Sequence, residues 1–180
     1  MKLEKTAIEG LLILTPSIFH DERGYFFESY NQNRFKELGI TEEFVQDNQS
    51  CSAKGVVRGL HFQRPPYAQA KLVRVVKGSV LDVAVDLRSN SPTYGQHVSV
   101  LLSGENQLQF FIPVGFAHGF VALEDETLFC YKCSALYHKT SEGAIRFDDP
   151  TLNIDWTVKD FIINEKDITG EDFANFKTVF

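Results

Sequence analysis

The sequence predicts a mainly β protein, built as a sandwich or jelly roll, on three observations. Short apolar stretches recur about every ten residues from Leu11 to Tyr131, with turn residues between them. Gly55, Gly59, Gly78 and Gly95 fall among them at hairpin-like intervals. Between Gly78 and Arg88 the chain alternates: Leu81, Val83, Val85 and Leu87 take one parity, Asp82, Asp86 and Arg88 the other. A period of two is that of a strand whose two faces meet different surroundings. The count of 16 Phe fits the same class, since aromatic rings favour strands and line pockets.

In order along the chain, Ile8 and Leu11–Leu14 read as one or two strands broken by Gly10 and Pro16. Asp21-Glu-Arg-Gly is a turn signal, and Tyr25 to Tyr30 reads as a short aromatic strand. Asn31 is a candidate cap for a short helix that carries Phe35 and Leu38 and stops at Gly39. Phe44 to Ser50 is a strand with Gln46 and Asn48 on one face. Pro65-Pro66 marks a loop between His61 and Lys71. Gln96 to Pro113 holds two strands joined through Ser103-Gly-Glu-Asn, followed by a glycine-punctuated turn carrying His118. Thr127 to Tyr131 is a further strand, and the segments at Phe147 and Ile154 read as turns leading into strands. The tail from Thr169 spaces Phe173, Phe176 and Phe180 as a helix would, with Thr169 and Asp172 as a capping box.

A chain of 180 residues is the size of one domain, able to bury a core without staples. A net charge of −6 argues against a nucleic-acid backbone as partner, although a few local Arg and Lys suffice for a small anion. The three cysteines, Cys51, Cys130 and Cys133, show no disulfide spacing, which points to a reducing compartment. Cys130 and Cys133, three apart on a strand, would face opposite ways and read as packing thiols. The apolar run Leu11–Leu14 is far too short for an export signal or a membrane span, so the expectation is a cytoplasmic protein with no membrane partner.

The polar residues between Arg58 and Arg88 either form a solvated sheet face or line a cavity inside a small barrel. His61 and His118 stand out among the five histidines, each between glycines and Phe. Neither has a second histidine at ligand spacing, so a metal centre is not expected. On a regular strand His61 and Gln63 share a face and Arg58 does not; a bulge at Gly59 would bring Arg58 round. Gln46 and Asn48 suit either the edge of a sheet or the reading of hydroxyls and base edges.

Several stretches occur together in order: Arg58-Gly-Leu-His-Phe-Gln, Gln69-Ala-Lys-Leu-Val-Arg-Val, Asp82-Val-Ala-Val-Asp-Leu-Arg, Ser91-Pro-Thr-Tyr-Gly and Ile112-Pro-Val-Gly-Phe-Ala-His-Gly-Phe. With Tyr131-Lys and Asp149-Pro…Ile154-Asp-Trp, the chain from Asp21 to Asp167 resembles the dTDP-4-dehydrorhamnose 3,5-epimerase family. The resemblance implies a cupin-type double-stranded β-helix, or jelly roll, with short peripheral helices. Residues 1–180 would form a single unit, the N-terminal strands and C-terminal helix packing around the barrel. It also implies a homodimer, no cofactor, and a dTDP-linked 4-keto-6-deoxy sugar as substrate, inverted at C3 and C5 through an enolate.

By resemblance His61 is the base, Asp167 the carboxylate that orients it, Lys71 the cation beside the enolate and Tyr131 the acid on the opposite face. Asp82 is a rival partner for His61 on strand parity alone. Arg23, Glu28, Gln46, Asp47, Asn48, Arg58, Lys71, His118, Glu142 and Lys166 match positions used for nucleotide, pyrophosphate or sugar, and Phe26 suits stacking on thymine. Glu142 and Lys166 read equally well as solvated surface charges. Ala70 stands where glycine is usual before the lysine, and the loop after Tyr137 lacks the usual proline. An epimerase or ketoisomerase acting on one site of a related sugar, and a sugar-nucleotide-binding cupin without catalysis, are the alternatives.

Overall fold

Residues 1–180 are all described in a computed structural model. The strands are β1 (Lys2–Lys5), β2 (Leu12–Thr15), β3 (Phe19–Asp21), β4 (Gly24–Phe26), β5 (Gln46–Ser52), β6 (Val57–Gln63), β7 (Lys71–Lys77), β8 (Ser79–Asp86), β9 (His97–Ser103), β10 (Gln109–Ile112), β11 (Phe116–Ala122), β12 (Thr127–Cys133) and β13 (Glu142–Ala144). Two short helices, α1 (Gln32–Glu37) and α2 (Glu165–Ile168), lie outside them. A six-stranded antiparallel sheet, β1-β2-β10-β7-β12-β5, faces a five-stranded one, β13-β6-β11-β8-β9. This is the expected jelly roll.

The alternation in β8 is real, and both of its faces are covered. Val80 and Ala84 point between the sheets, where they pack with Val73, Val75, Phe110, Phe120 and Phe129. Asp82 and Asp86 share that inward parity and are fully buried. Val83 and Val85 face the other way, onto a second core with Phe147, Trp156, Phe173 and Phe176. The chain from Ile145 onward thus covers the back of the five-stranded sheet. Against the far face of the six-stranded sheet, Phe35 of α1 packs with Leu14, Leu72 and Phe111. Asn31 caps α1 through its side chain, and Gly39 ends it at φ +87°.

Four local expectations are corrected. The aromatic strand is only Gly24–Phe26, half of a small hairpin with β3 that stands apart from both sheets. His118 lies in the middle of β11, not in a turn. Gly119 is there because a Cβ would come within 2.8 Å of the Arg58 carbonyl oxygen, so it marks close packing of two backbones. The tail forms no α-helix beyond Thr169, only a 3-10 turn at Phe173–Asn175, because Phe173 and Phe176 are drawn into the back core. The Phe147 and Ile154 segments make turns without the strands expected after them.

Candidate active site

One end of the space between the sheets is open, and its walls are polar. Tyr131 and Cys133 share an inward parity on β12, as do Lys71 and Val73 on β7 and Gln46, Asn48 and Ser50 on β5. The opposing sheet supplies His61 from β6 and His118 from β11, which are partners in the β6–β11 register. That register slips between His118 and Phe120, so that Gly59 and Leu60 together oppose Gly119. The bulge expected at Gly59 is therefore present. It turns Leu60 and Phe62 to the back core and brings Arg58 to the same wall as His61.

Two adjoining lobes, of about 300 and 290 Å³, share Asn48, His61, Lys71 and Tyr131. The first adds Arg58, His118, Asn164, Lys166 and Asp167 over a floor of Phe120 and Phe129, whose rings stack at 4.1 Å. The second adds Gln46, Gln63, Cys133, Tyr137 and Glu142.

His61 Nε2 lies 2.6 Å from Asp167 Oδ1. Asp167 is brought there by α2, where the Asn164 side chain accepts from the Asp167 backbone N–H, and Gly59 N–H donates to its second oxygen at 3.4 Å. With Nε2–H committed to the carboxylate, the basic nitrogen of His61 is Nδ1, which has no protein partner. Burial pushes the Tyr131 phenol above the ordinary tyrosine range, so it carries its proton at neutral pH. Burial also lowers the Lys71 pKa, against the opposing pull of Cys133, Asp82 and Glu142. A histidine backed by a carboxylate, a protonated phenol and a lysine around one small cavity can remove a proton, return one and hold a transient oxyanion.

A family model described as dTDP-4-dehydrorhamnose 3,5-epimerase matches residues 5–175. This chain belongs to that family. It is 52% identical over 176 residues to the dTDP-4-dehydrorhamnose 3,5-epimerase of Shigella flexneri, covering 97% of both chains. Among solved structures, the enzyme of the same name from Elizabethkingia anophelis superimposes with a TM-score of 0.93 at 51% identity, covering 97% of each chain. A Legionella pneumophila dTDP-6-deoxy-D-glucose-3,5-epimerase, in complex with dTDP-4-keto-L-rhamnose, gives 0.94 at 49% identity, covering 98% of this chain and 94% of that one.

Within this member of the epimerase family, His61, Lys71, Tyr131, Asp167, Gln46, Asn48, Arg58, His118, Glu142 and Lys166 all line the two lobes. Glu142 and Lys166 pair with each other at the rim, and Tyr137 also donates to Glu142. Burial opposes the charge of Glu142, but those two hydrogen bonds hold its carboxyl below the usual range. Ala70 sits fully buried beside Leu72 and leaves Lys71 on the cavity wall.

Other residues are not brought in. Asp82 does not serve His61; it is bonded to His118 instead. Asp47 has the opposite parity to Asn48 and pairs with Lys132 on the far face of the sheet. Arg23 and Phe26 are exposed on the β3–β4 hairpin, Arg23 paired with Asp21, and Glu28 accepts from Asn31 and Arg34. Ser50, Cys133 and Tyr137 also line the cavity, and reasoning from sequence misses all three. Strand parity with Asn48 and Tyr131 marks the first two; Tyr137 carries no such signal. The Ser50 hydroxyl is buried on the wall with no protein partner.

Proposed function

We propose that this chain converts dTDP-4-dehydro-6-deoxy-D-glucose to dTDP-4-dehydro-L-rhamnose by inverting C3 and C5. The observation that carries the reading is the gathering of the His61–Asp167 pair, Lys71 and Tyr131 around one cavity. His61 Nδ1 takes the proton from the carbon beside the C4 ketone, and the electron pair moves into an enolate. The developing charge on the C4 oxygen meets the Lys71 ammonium, a preorganised contact commonly worth about 10²–10³ in rate. Tyr131 returns a proton from the opposite face, and solvent reloads Tyr131 and unloads His61 before the second carbon reacts. Asp167 holds the imidazole and supports its positive charge in between.

Arg58 and Lys166 suit the pyrophosphate, and Gln46 and Asn48 the sugar or base. Arg23, Phe26 and Glu28 enter this reading through a homodimer. The hairpin that holds Arg23 and Phe26 exposes Phe19, Tyr25 and Phe26 and lies outside both sheets, which supports a role for it at the cavity of the second copy. No helix is long and apolar enough to cross a membrane. With three free thiols, a cytoplasmic site of action fits the reading.

The test is to incubate the 4-keto substrate in deuterated water and follow label at C3 and C5 by NMR. Label at both carbons supports the double epimerase. Label at one points to a single-site enzyme, and none to a binding protein. His61→Ala is expected to abolish exchange, and exchange at the wild-type rate would remove His61 as the base.

A further inference from the structure

A second imidazole–carboxylate pair stands beside the first. Both oxygens of Asp82 lie close to His118 Nε2, at 3.0 and 2.9 Å, and no other hydrogen bond reaches that carboxylate. Asp82 is fully buried and His118 is 6% exposed. A buried carboxylate with a single neutral donor is costly unless a positive charge lies near it. His118 Nδ1 has no protein partner, yet it is not sealed off, and the ring lines the lobe that holds His61, Lys71 and Tyr131.

We propose that Asp82 is a positioning residue for the reaction: it fixes His118 as the Nε2–H tautomer and supplies the charge that keeps Lys71 an ammonium. The inference rests on the epimerase reading above. With Nε2–H given to Asp82, Nδ1 offers a lone pair to the cavity, so its partner on the substrate is a hydroxyl hydrogen, not a phosphate oxygen. Burial lowers the pKa of His118 in spite of Asp82, so the ring is neutral and does not itself balance the carboxylate.

In this proposal Lys71, whose amine feels the Asp82 charge against the effect of burial, is the cation that does. The titratable groups around it are Tyr131 and Cys133 from β12, Glu142 from β13, His61 and Arg58 from β6, His118 from β11, Asp82 from β8, and Lys166 and Asp167 from α2, with Arg58 turned to Ser52 and the Cys51 carbonyl. Burial holds both Tyr131 and the Cys133 thiol neutral, and Glu142 is engaged by Lys166. Asp167 is committed to His61. Asp82 is left as the carboxylate without a cation of its own, bonded to a histidine on the wall of the lobe that Lys71 also lines, and its charge opposes the effect of burial on the Lys71 amine.

The test uses the intact protein. Long-range ¹⁵N–¹H NMR of the free wild-type enzyme, with the His118 signal assigned by its loss in His118→Gln, should report the Nε2–H tautomer. The Nδ1–H form would overturn the proposal, and this readout needs neither substrate nor a folded Asp82 variant. Asp82→Asn keeps the shape and removes the charge. Its kcat should fall about tenfold or more, part of the 10²–10³ lost when an oxyanion partner is removed outright, with KM changed less. The alkaline limb of its kcat/KM profile should move to lower pH by about one unit or more. A folded variant whose limb stays with the wild type would reject the role toward Lys71. Absence of epimerase activity in the wild type would instead point to failure of the parent reading.

Discussion

Replacing Asp167 by Asn tests the base most directly, because the amide fills the same space between His61 and Gly59 while the charge is gone. The wild-type contact is a 2.6 Å hydrogen bond from a histidine side chain that is 29% exposed to a carboxylate that is 4% exposed. As His61 takes the substrate proton, an imidazolium forms beside this carboxylate, with charge centres roughly 4 Å apart. At an effective dielectric of about 20, that attraction is about 4 kcal/mol. Its loss corresponds to a rate decrease of about 10³-fold. The same substitution in the Ser-His-Asp triad costs about 10⁴ through a wrong tautomer, and here the Gly59 N–H, which needs the amide oxygen, would likewise turn the NH2 group of the introduced amide to His61. The expected value here lies at or below that figure. Deuterium wash-in at C3 under single-turnover conditions reads the proton-removal step without interference from product release. The KM of Asp167→Asn should be little changed, since the carboxylate faces the imidazole and not the sugar. A variant that exchanges within about threefold of the wild type would show that no imidazolium forms beside Asp167, and His61 would lose its assignment as base.

Three further outcomes are expected. Tyr131→Phe should still wash deuterium into the substrate while product inversion falls by about 10²-fold or more, so normal inversion would remove the phenol as the acid. Gly59→Ala should destabilise the fold by about 2–5 kcal/mol in urea titrations and reduce activity with it. The added Cβ would lie 2.4 Å from Gly119 Cα and 2.8 Å from the His118 carbonyl oxygen, at a φ of +135°. A stable, active variant would mean that the bulge does not set His61 and Arg58. Asp86 is a stability residue: burial would raise its pKa, but hydrogen bonds from Arg88, Ser91 and Thr93 hold it at about 2 against an ordinary 3.8. That difference is present above about pH 4, is lost as pH falls towards 2, and is worth about 2 kcal/mol. Asp86→Asn should therefore melt about 5 °C lower at pH 7 and converge with the wild type near pH 2, and a gap equal at both pH values would contradict this account.

Strand parity alone makes part of the cavity legible in the sequence. The even-numbered residues of β8 do face inward, and Gln46 with Asn48 do share a wall. Parity says which face a side chain takes but not what it meets across the barrel. It thus places Asp82 correctly and leaves its partner open, because the choice between His61 and His118 depends on the β6–β11 register and its one-residue slip. Glycine misleads in one place and guides in another. Gly119 reads as a turn when it relieves a clash inside a strand, whereas Gly59 reads correctly as a bulge. Asp167 has no local signal, since a four-residue helix far along the chain delivers it. The phenylalanine spacing of the tail fits a helix, but packing against the back of the sheet prevails over a pattern three rings long.

The two histidine–carboxylate pairs differ in the property that their proposed roles require. The His61 side chain is 29% exposed and that of His118 is 7%. A base that acts at two carbons in succession must shed its proton between the events, and exposure to water gives it a route. A ring that only reads a hydroxyl gains from the opposite condition, because burial keeps it neutral and its tautomer single. Since the two rings are direct partners across β6 and β11, one strand pair sets both environments, with the rim at one ring and the interior at the other. The Gly59 bulge sits just beyond that pair, donates its N–H to Asp167 and aims Arg58 beside the two rings. A lesion at Gly59 should therefore reduce proton exchange and ligand binding together, whereas loss of Asp167 should reduce exchange alone.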